Sequence, residues 1–178
     1  MREIELRRSV RKYKNKVVDS TLIKTILNSA RMAPSGHNKQ PWHFIVVTDM
    51  AIKEAIAKTA NNQKWMLAAP VFIVSIADIR ARIGAAEEIY VDEETSHWEL
   101  KRVIRDTSIA TENILLEAVS LGLGACWVGW YLQKDLRPIL GIPDDKFVVG
   151  VITLGYPDES PQSRPRKDLG EIVHFEHW

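Results

Sequence analysis

Gly122-Leu123-Gly124-Ala125-Cys126-Trp127-Val128-Gly129 closes the longest helical stretch of the chain, His97 to Leu121, and opens a short strand. In that stretch Val103, Ile104, Ile109, Ala110, Ile114, Leu115, Ala118, Val119 and Leu121 form an unusually wide apolar surface. A helix apolar over so much of its circumference lies at the centre of a domain or of an oligomer. Gly122 and Gly124 end it, and Ala125 to Val128 reads as the strand. Gly122-x-Gly124 is not a dinucleotide fingerprint: Trp127 holds the third glycine's place, and the motif follows a helix instead of a strand.

Other elements arrange themselves around this centre. Asp19 is placed to cap a helix carrying Leu22, Ile23, Ile26, Leu27 and Ala30, which Pro34-Ser35-Gly36 stops. His43 to Thr48 reads as a strand, Met50 to Ala60 as a helix, and Val71 to Ile76 as a strand buried on both faces. Gln133 to Leu140 reads as a helix closed by Gly141, and Phe147 to Leu154 as the last core strand. Asp78 to Ser96 has no clear period and fits a helix plus a mobile loop. The tail from Asp158 reads as extended, and the alternation from Ile172 to Trp178 suits an added strand, in this sheet or a partner's. Trp42 and at least two of Trp65, Trp98 and Trp130 are expected in the core.

Composition bounds the function. The 178 residues suit one domain, with 46% hydrophobic and 26% charged residues. The longest apolar run, Ala68 to Ala77, is broken by Pro70 and Ser75 and falls short of a membrane helix. With no apolar signal core at the start, a cytoplasmic location is expected. A net charge of +1 argues against broad nucleic-acid binding. Cys126 stands alone, so no intrachain disulfide forms, and it reads as a small buried apolar residue. His174, Glu176 and His177 lack a third clear ligand, and no metal site is assigned.

Charge is nonetheless concentrated locally. Arg7-Arg8-Ser9-Val10-Arg11 and Arg164-Pro165-Arg166-Lys167 supply guanidinium forks and a hydroxyl, the donors that match phosphate oxygens. Taken alone, the first cluster equally fits a solvated basic arm or a nucleic-acid contact. Pro34, Ser35, Gly36, Asn38 and Gln40 form a polar loop whose small residues allow close backbone approach and whose amides both donate and accept. A plain turn leading into a strand is the alternative.

These motifs, in this order, resemble the FMN-dependent nitroreductase family over nearly the whole chain. The likeness rests on Arg7 to Arg11, Ala33 to Trp42, Asn61 to Pro70, Gly122 to Gly129, Leu154-Gly155-Tyr156-Pro157 and Arg164-Pro165-Arg166. It implies a single α+β domain over residues 1–178, with a central, mostly antiparallel sheet flanked by helices. It also implies an obligate homodimer with an extended C-terminal tail and two shared FMN sites. Arg7, Arg8, Ser9, Arg11, Arg164 and Arg166 would hold the phosphate and ribityl end. Pro34, Ser35, Gly36, Asn38 and Gln40 would reach the flavin bound mainly by the neighbouring subunit. Asn61 and Lys64 would face the pyrimidine ring, Lys64 favouring the reduced state through its charge, although Asn61-Asn62-Gln63-Lys64 also fits a plain polar loop. Trp127, Val128 and Gly129 would run beneath the ring with a backbone N–H near N5. The activity implied is ping-pong hydride transfer from NADH or NADPH to an electron-poor small molecule such as a nitroaromatic or a quinone, with no catalytic acid or base assigned. Flavin-using dehalogenases, flavin-degrading enzymes and non-catalytic flavin binders of the same fold remain the alternatives.

Overall fold

The computed structural model describes residues 2–84 and 88–178. Its sheet contains β1 (Trp42–Val47), β2 (Val71–Asp78), β3 (Gly124–Val128) and β4 (Lys146–Gly155), in spatial order β1-β2-β4-β3 with every pair antiparallel. The helices are α1 (Arg2–Leu6), α2 (Ser20–Arg31), α3 (Met50–Thr59), α4 (Trp98–Ser120), α5 (Gln133–Leu140) and α6 (Leu169–Ile172).

Alternation along the two central strands sorts the helices onto the two faces. On β2, Val71 and Ile73 pack with Ile152 and Leu154 of β4 against α2 and α4, through Ile26, Ile114, Leu115 and Ala118. Phe72, Val74 and Ile76 point the other way, towards Ile56 of α3 and Leu136 of α5. The centre of the sheet is therefore covered on both sides, as continuous apolar runs require. Most of α4 is buried or half-buried, and its end closes with the Leu123 N–H donating to Ala118 O at 2.7 Å. His97 caps its start, with Nδ1 accepting from the Glu99 N–H at 3.1 Å.

The arm after α1 lies along β3. Ser9 bridges Ala125, and the Val10 N–H donates to Ala125 O at 3.0 Å. Tyr13 is buried, and its hydroxyl bonds Val10 O at 2.6 Å and Thr153 Oγ1 at 2.8 Å. Burial pushes that phenol well above its ordinary pKa, so it stays a neutral strut.

Several expectations need correction. Trp98 and Trp130 are exposed, at 63% and 71%, and Trp65 is half-buried, so this trio does not build the core; Trp42 does. The N-terminus forms α1, which its charged composition does not announce. Ile172 to Trp178 is no strand in this chain: the tail makes the single turn α6, fixed by a capping box between Asp168 and Glu171. The region from Asp78 holds a 3-10 turn, Ile79–Ala81, in place of a longer helix. The part of that expectation falling on 85–87 lies outside the described residues.

Candidate functional site

Arg7, Arg8, Ser9, Arg11, Arg164 and Arg166 line one cleft of ≈ 640 Å³, beside Gln162 and Ser163. Two segments separated by some 150 positions of sequence thus meet. The local structure explains how. Arg8 donates Nη1 to Glu5 O at 2.7 Å and to Arg7 O at 2.8 Å, closing the carbonyl end of α1. The Arg7 guanidinium sits 3.6 Å from Glu112 of α4. Burial lifts the Glu112 carboxyl above its ordinary pKa, against the pull of Arg7. The tail is brought alongside by paired backbone bonds: Lys14 N–H to Tyr156 O and Asp158 N–H to Lys12 O, each 2.9 Å. Among the described residues, five arginines and no carboxylate line the cleft. Their mutual repulsion is relieved by an anion, and their planar forks suit phosphate or carboxylate oxygens.

The Pro34–Gln40 loop does not line that cleft. An ion pair grips it from below. Arg82 Nη2 donates to Gly36 O at 3.2 Å and to Asp106 Oδ2 at 3.0 Å, and the same Asp106 oxygen accepts the Gly36 N–H at 3.2 Å. The Arg82 side chain is only 6% exposed. A Cβ at position 36 would run into its guanidinium, so any other residue there would have to displace Arg82. Beyond Gly36 the backbone enters the left-handed region at His37 (φ 56°), Asn38 (φ 54°) and Gln40 (φ 46°). Non-glycine residues there cost about 1–2 kcal/mol each, and the bonds Asn38 N–H to Ser35 O and Gln40 N–H to Ser35 Oγ, both 2.9 Å, offset part of it. The result presents the Asn38 and Gln40 side chains to the exterior.

Asn61 and Lys64 are exposed on the turn after α3, where Asn61 and Asn62 both have φ 55°. Buried Lys53 holds the following segment, donating Nζ to Ala69 O at 3.0 Å. Burial holds its ammonium pKa below the ordinary lysine value. The Arg11 guanidinium lies 5.5 Å from the centre of the Trp65 ring, which joins this turn to the arginine cleft. Trp127 and Val128 belong to β3, and Gly129 follows at its exposed end. From Ala125, beside Ser9, to Gly129 the strand runs about 14 Å. Trp127 lays its indole across Gly150 of β4, leaving no room for a Cβ there. Cys126 is buried, and burial raises its thiol pKa, so it is not a nucleophile.

Four participants escape sequence reasoning. Gln162 and Ser163 had a signal, since they adjoin Arg164. Arg82 and Asp106 had none, because residues 24 apart meet only once β2 and α4 are packed. Among the described residues, no group of histidine, cysteine and carboxylate side chains is arranged to hold a metal ion. No helix among them is long and apolar enough to cross a membrane.

Comparison with known proteins bears on this arrangement. The model of the nitroreductase family matches residues 4–156. A protein of Methanothermobacter thermautotrophicus, described as a candidate NADH dehydrogenase/NAD(P)H nitroreductase, is 38% identical over 98% of this chain and 85% of its own length. The FMN reductase [NAD(P)H] of Bacillus subtilis is 30% identical over 96% of this chain and 71% of its own. Among solved structures, an FMN-dependent nitroreductase of Clostridium difficile superposes with a TM-score of 0.79 at 30% identity, covering 99% of this chain and 98% of the other. By the span of the family model and the identity to these relatives, this chain is a member of the nitroreductase family.

Proposed function

We propose that the chain is an FMN-dependent oxidoreductase that takes reducing equivalents from NADH or NADPH and delivers them to an electron-poor small molecule such as a nitroaromatic or a quinone. It works as a cytoplasmic homodimer. The observation that carries this reading is the arginine cleft: among the described residues, five guanidinium groups, a serine hydroxyl from each wall and no carboxylate suit a phosphomonoester dianion. Bound FMN supplies two-electron hydride chemistry between nicotinamide and acceptor.

The chain's own residues bind and orient. Arg7, Arg8, Ser9 and Arg11 on the arm, with Arg164 and Arg166 on the tail, hold the phosphate and ribityl end. Asn61 bonds the polar edge of the ring, and Lys64 sets a positive charge beside it. The backbone of Trp127, Val128 and Gly129 supports the ring from β3. Pro34, Ser35, Gly36, Asn38 and Gln40 serve the cofactor of the partner subunit, which accords with a loop that stands outside its own cleft with its amides exposed. The dimer is further supported by a tail that leaves Leu169, Phe175 and Trp178 exposed at 71%, 86% and 102%. The names of the relatives point to the same chemistry.

Reconstitution with FMN tests the proposal. The expected result is retained flavin absorbance, a dimer by light scattering, and NAD(P)H oxidation faster than free FMN supports. A colourless protein after reconstitution would overturn it. Retained flavin without NAD(P)H oxidation would leave a binding protein and refute the enzyme.

A further inference from the structure

Glu159 lies outside the arginine cleft yet joins its two walls. Its Oε1 accepts the Arg11 N–H at 2.6 Å and the Lys12 N–H at 3.1 Å. Beyond Glu159, among the described residues, no hydrogen bond or ion pair ties 160–178 to the rest of the chain: the bonds of the tail run within the tail. Arg164 and Arg166 are therefore hung from the turn at Asp158 and Glu159. The last backbone bond on that side, Asp158 N–H to Lys12 O, lies immediately before it.

We propose that Glu159 is the latch of the anion site, a positioning residue that sets the approach of Arg164 and Arg166 to the arm by holding two consecutive N–H groups beside Arg11. This rests on the reading of the cleft as a phosphate site. It carries a sign that simple electrostatics does not. A carboxylate beside a dianion site repels the ligand, so on charge alone its removal tightens binding. A latch makes the opposite prediction: losing the acceptor frees the tail arginines, and binding weakens. The acceptor matters here and not the charge, so Glu159→Gln, which keeps an oxygen in place, retains the latch, whereas Glu159→Ala loses it. Losing an acceptor for two backbone donors corresponds to about a 10-fold effect or more.

Two measurements on the full-length protein decide it. The first is FMN affinity by fluorescence quenching. Glu159→Ala is expected to bind about 10-fold more weakly, and Glu159→Gln as well as the natural protein or better. The second is hydrogen exchange at the Arg11 and Lys12 amides without flavin. These are expected to be protected in the natural protein and in Glu159→Gln and to exchange fast in Glu159→Ala, while the core amide of Val151 stays protected in all three and reports that each is folded. Tighter FMN binding by Glu159→Ala, equal weakening by both substitutions, or unchanged exchange at Arg11 and Lys12 would each overturn the latch. If the natural protein binds no FMN, the flavin reading fails, while the exchange experiment still reports on the latch.

Discussion

The arginine cleft and the Pro34–Gln40 loop are built on opposite principles. The cleft gathers like charges on a wall that is half free: its tail side is mostly exposed and, among the described residues, hydrogen-bonded to the arm only at its root. The loop carries a single charged side chain, Lys39, and sits on a part-buried ion pair, Arg82 with Asp106, whose side chains are 6% and 15% exposed. On the proposed reading, one region is completed by the anion it binds; the other is finished on folding. A ligand of high charge is best met by groups that close around it, whereas a flat polar edge is best met by amides already held in place, since each group immobilised on binding lowers affinity. The left-handed backbone of the loop, at His37, Asn38 and Gln40, is tolerable only because the grip on Gly36 over-determines it.

Substitutions should therefore act on folding in one region and on binding in the other. The largest effect is expected for Arg82→Met. It leaves Asp106 and Glu99, both part-buried, without the guanidinium they share and should destabilise the fold by up to about 3–5 kcal/mol, the cost of breaking a fully buried pair, read by urea unfolding. A change below about 0.5 kcal/mol would mean that the loop is not held by this pair, and the contrast would break. Next comes the double substitution Arg8→Ala with Arg166→Ala. FMN affinity should fall by about 100-fold or more, since each of the two lost charged bonds is worth about 1.5–3 kcal/mol, while urea stability stays nearly unchanged; unfolding of this variant would show the cleft to be structural. Gly150→Ala probes the ground between the two regions. Its methyl group meets the Trp127 indole and should cost about 1–3 kcal/mol of stability. An unaltered unfolding midpoint would show that Trp127 moves freely and that β3 is a poor platform. The smallest effect is expected for Lys64→Ala, which should lower the flavin midpoint potential by on the order of 20 mV, less than the roughly 30 mV of a tenfold change in a two-electron couple. A potential equal to that of the natural protein would remove Lys64 from the ring's surroundings.

Regular periodicity and hard stops were enough to find most elements. The helix stopped by Pro34-Ser35-Gly36, the one closed by Gly141 and the doubly buried strand from Val71 all appear where spacing and caps put them. Aromatic residues misled, because Trp98 and Trp130 follow no period that separates core from surface, and a large ring is equally at home covering a ligand or a partner. The tail misled for a related reason: alternation over seven residues reports strand potential only when a neighbouring strand completes its bonds. Among the described residues none does, and Asp168 with Glu171 caps a turn instead.

The chain's order of residues alone determined which chemistry is on offer: the arginine clusters, the amide loop and the apolar helix through which the whole is organised, because these are properties of side chains and of local repeat. Only the tertiary structure decided that Arg7 and Arg166 line the same space, that Arg82 reaches Gly36, and that Glu159 settles on two N–H groups of the arm. Such contacts join positions 46 to nearly 160 apart, and they exist only after the sheet has closed the loops between them, a step whose cost in chain entropy is met by the core and not by the contacts themselves.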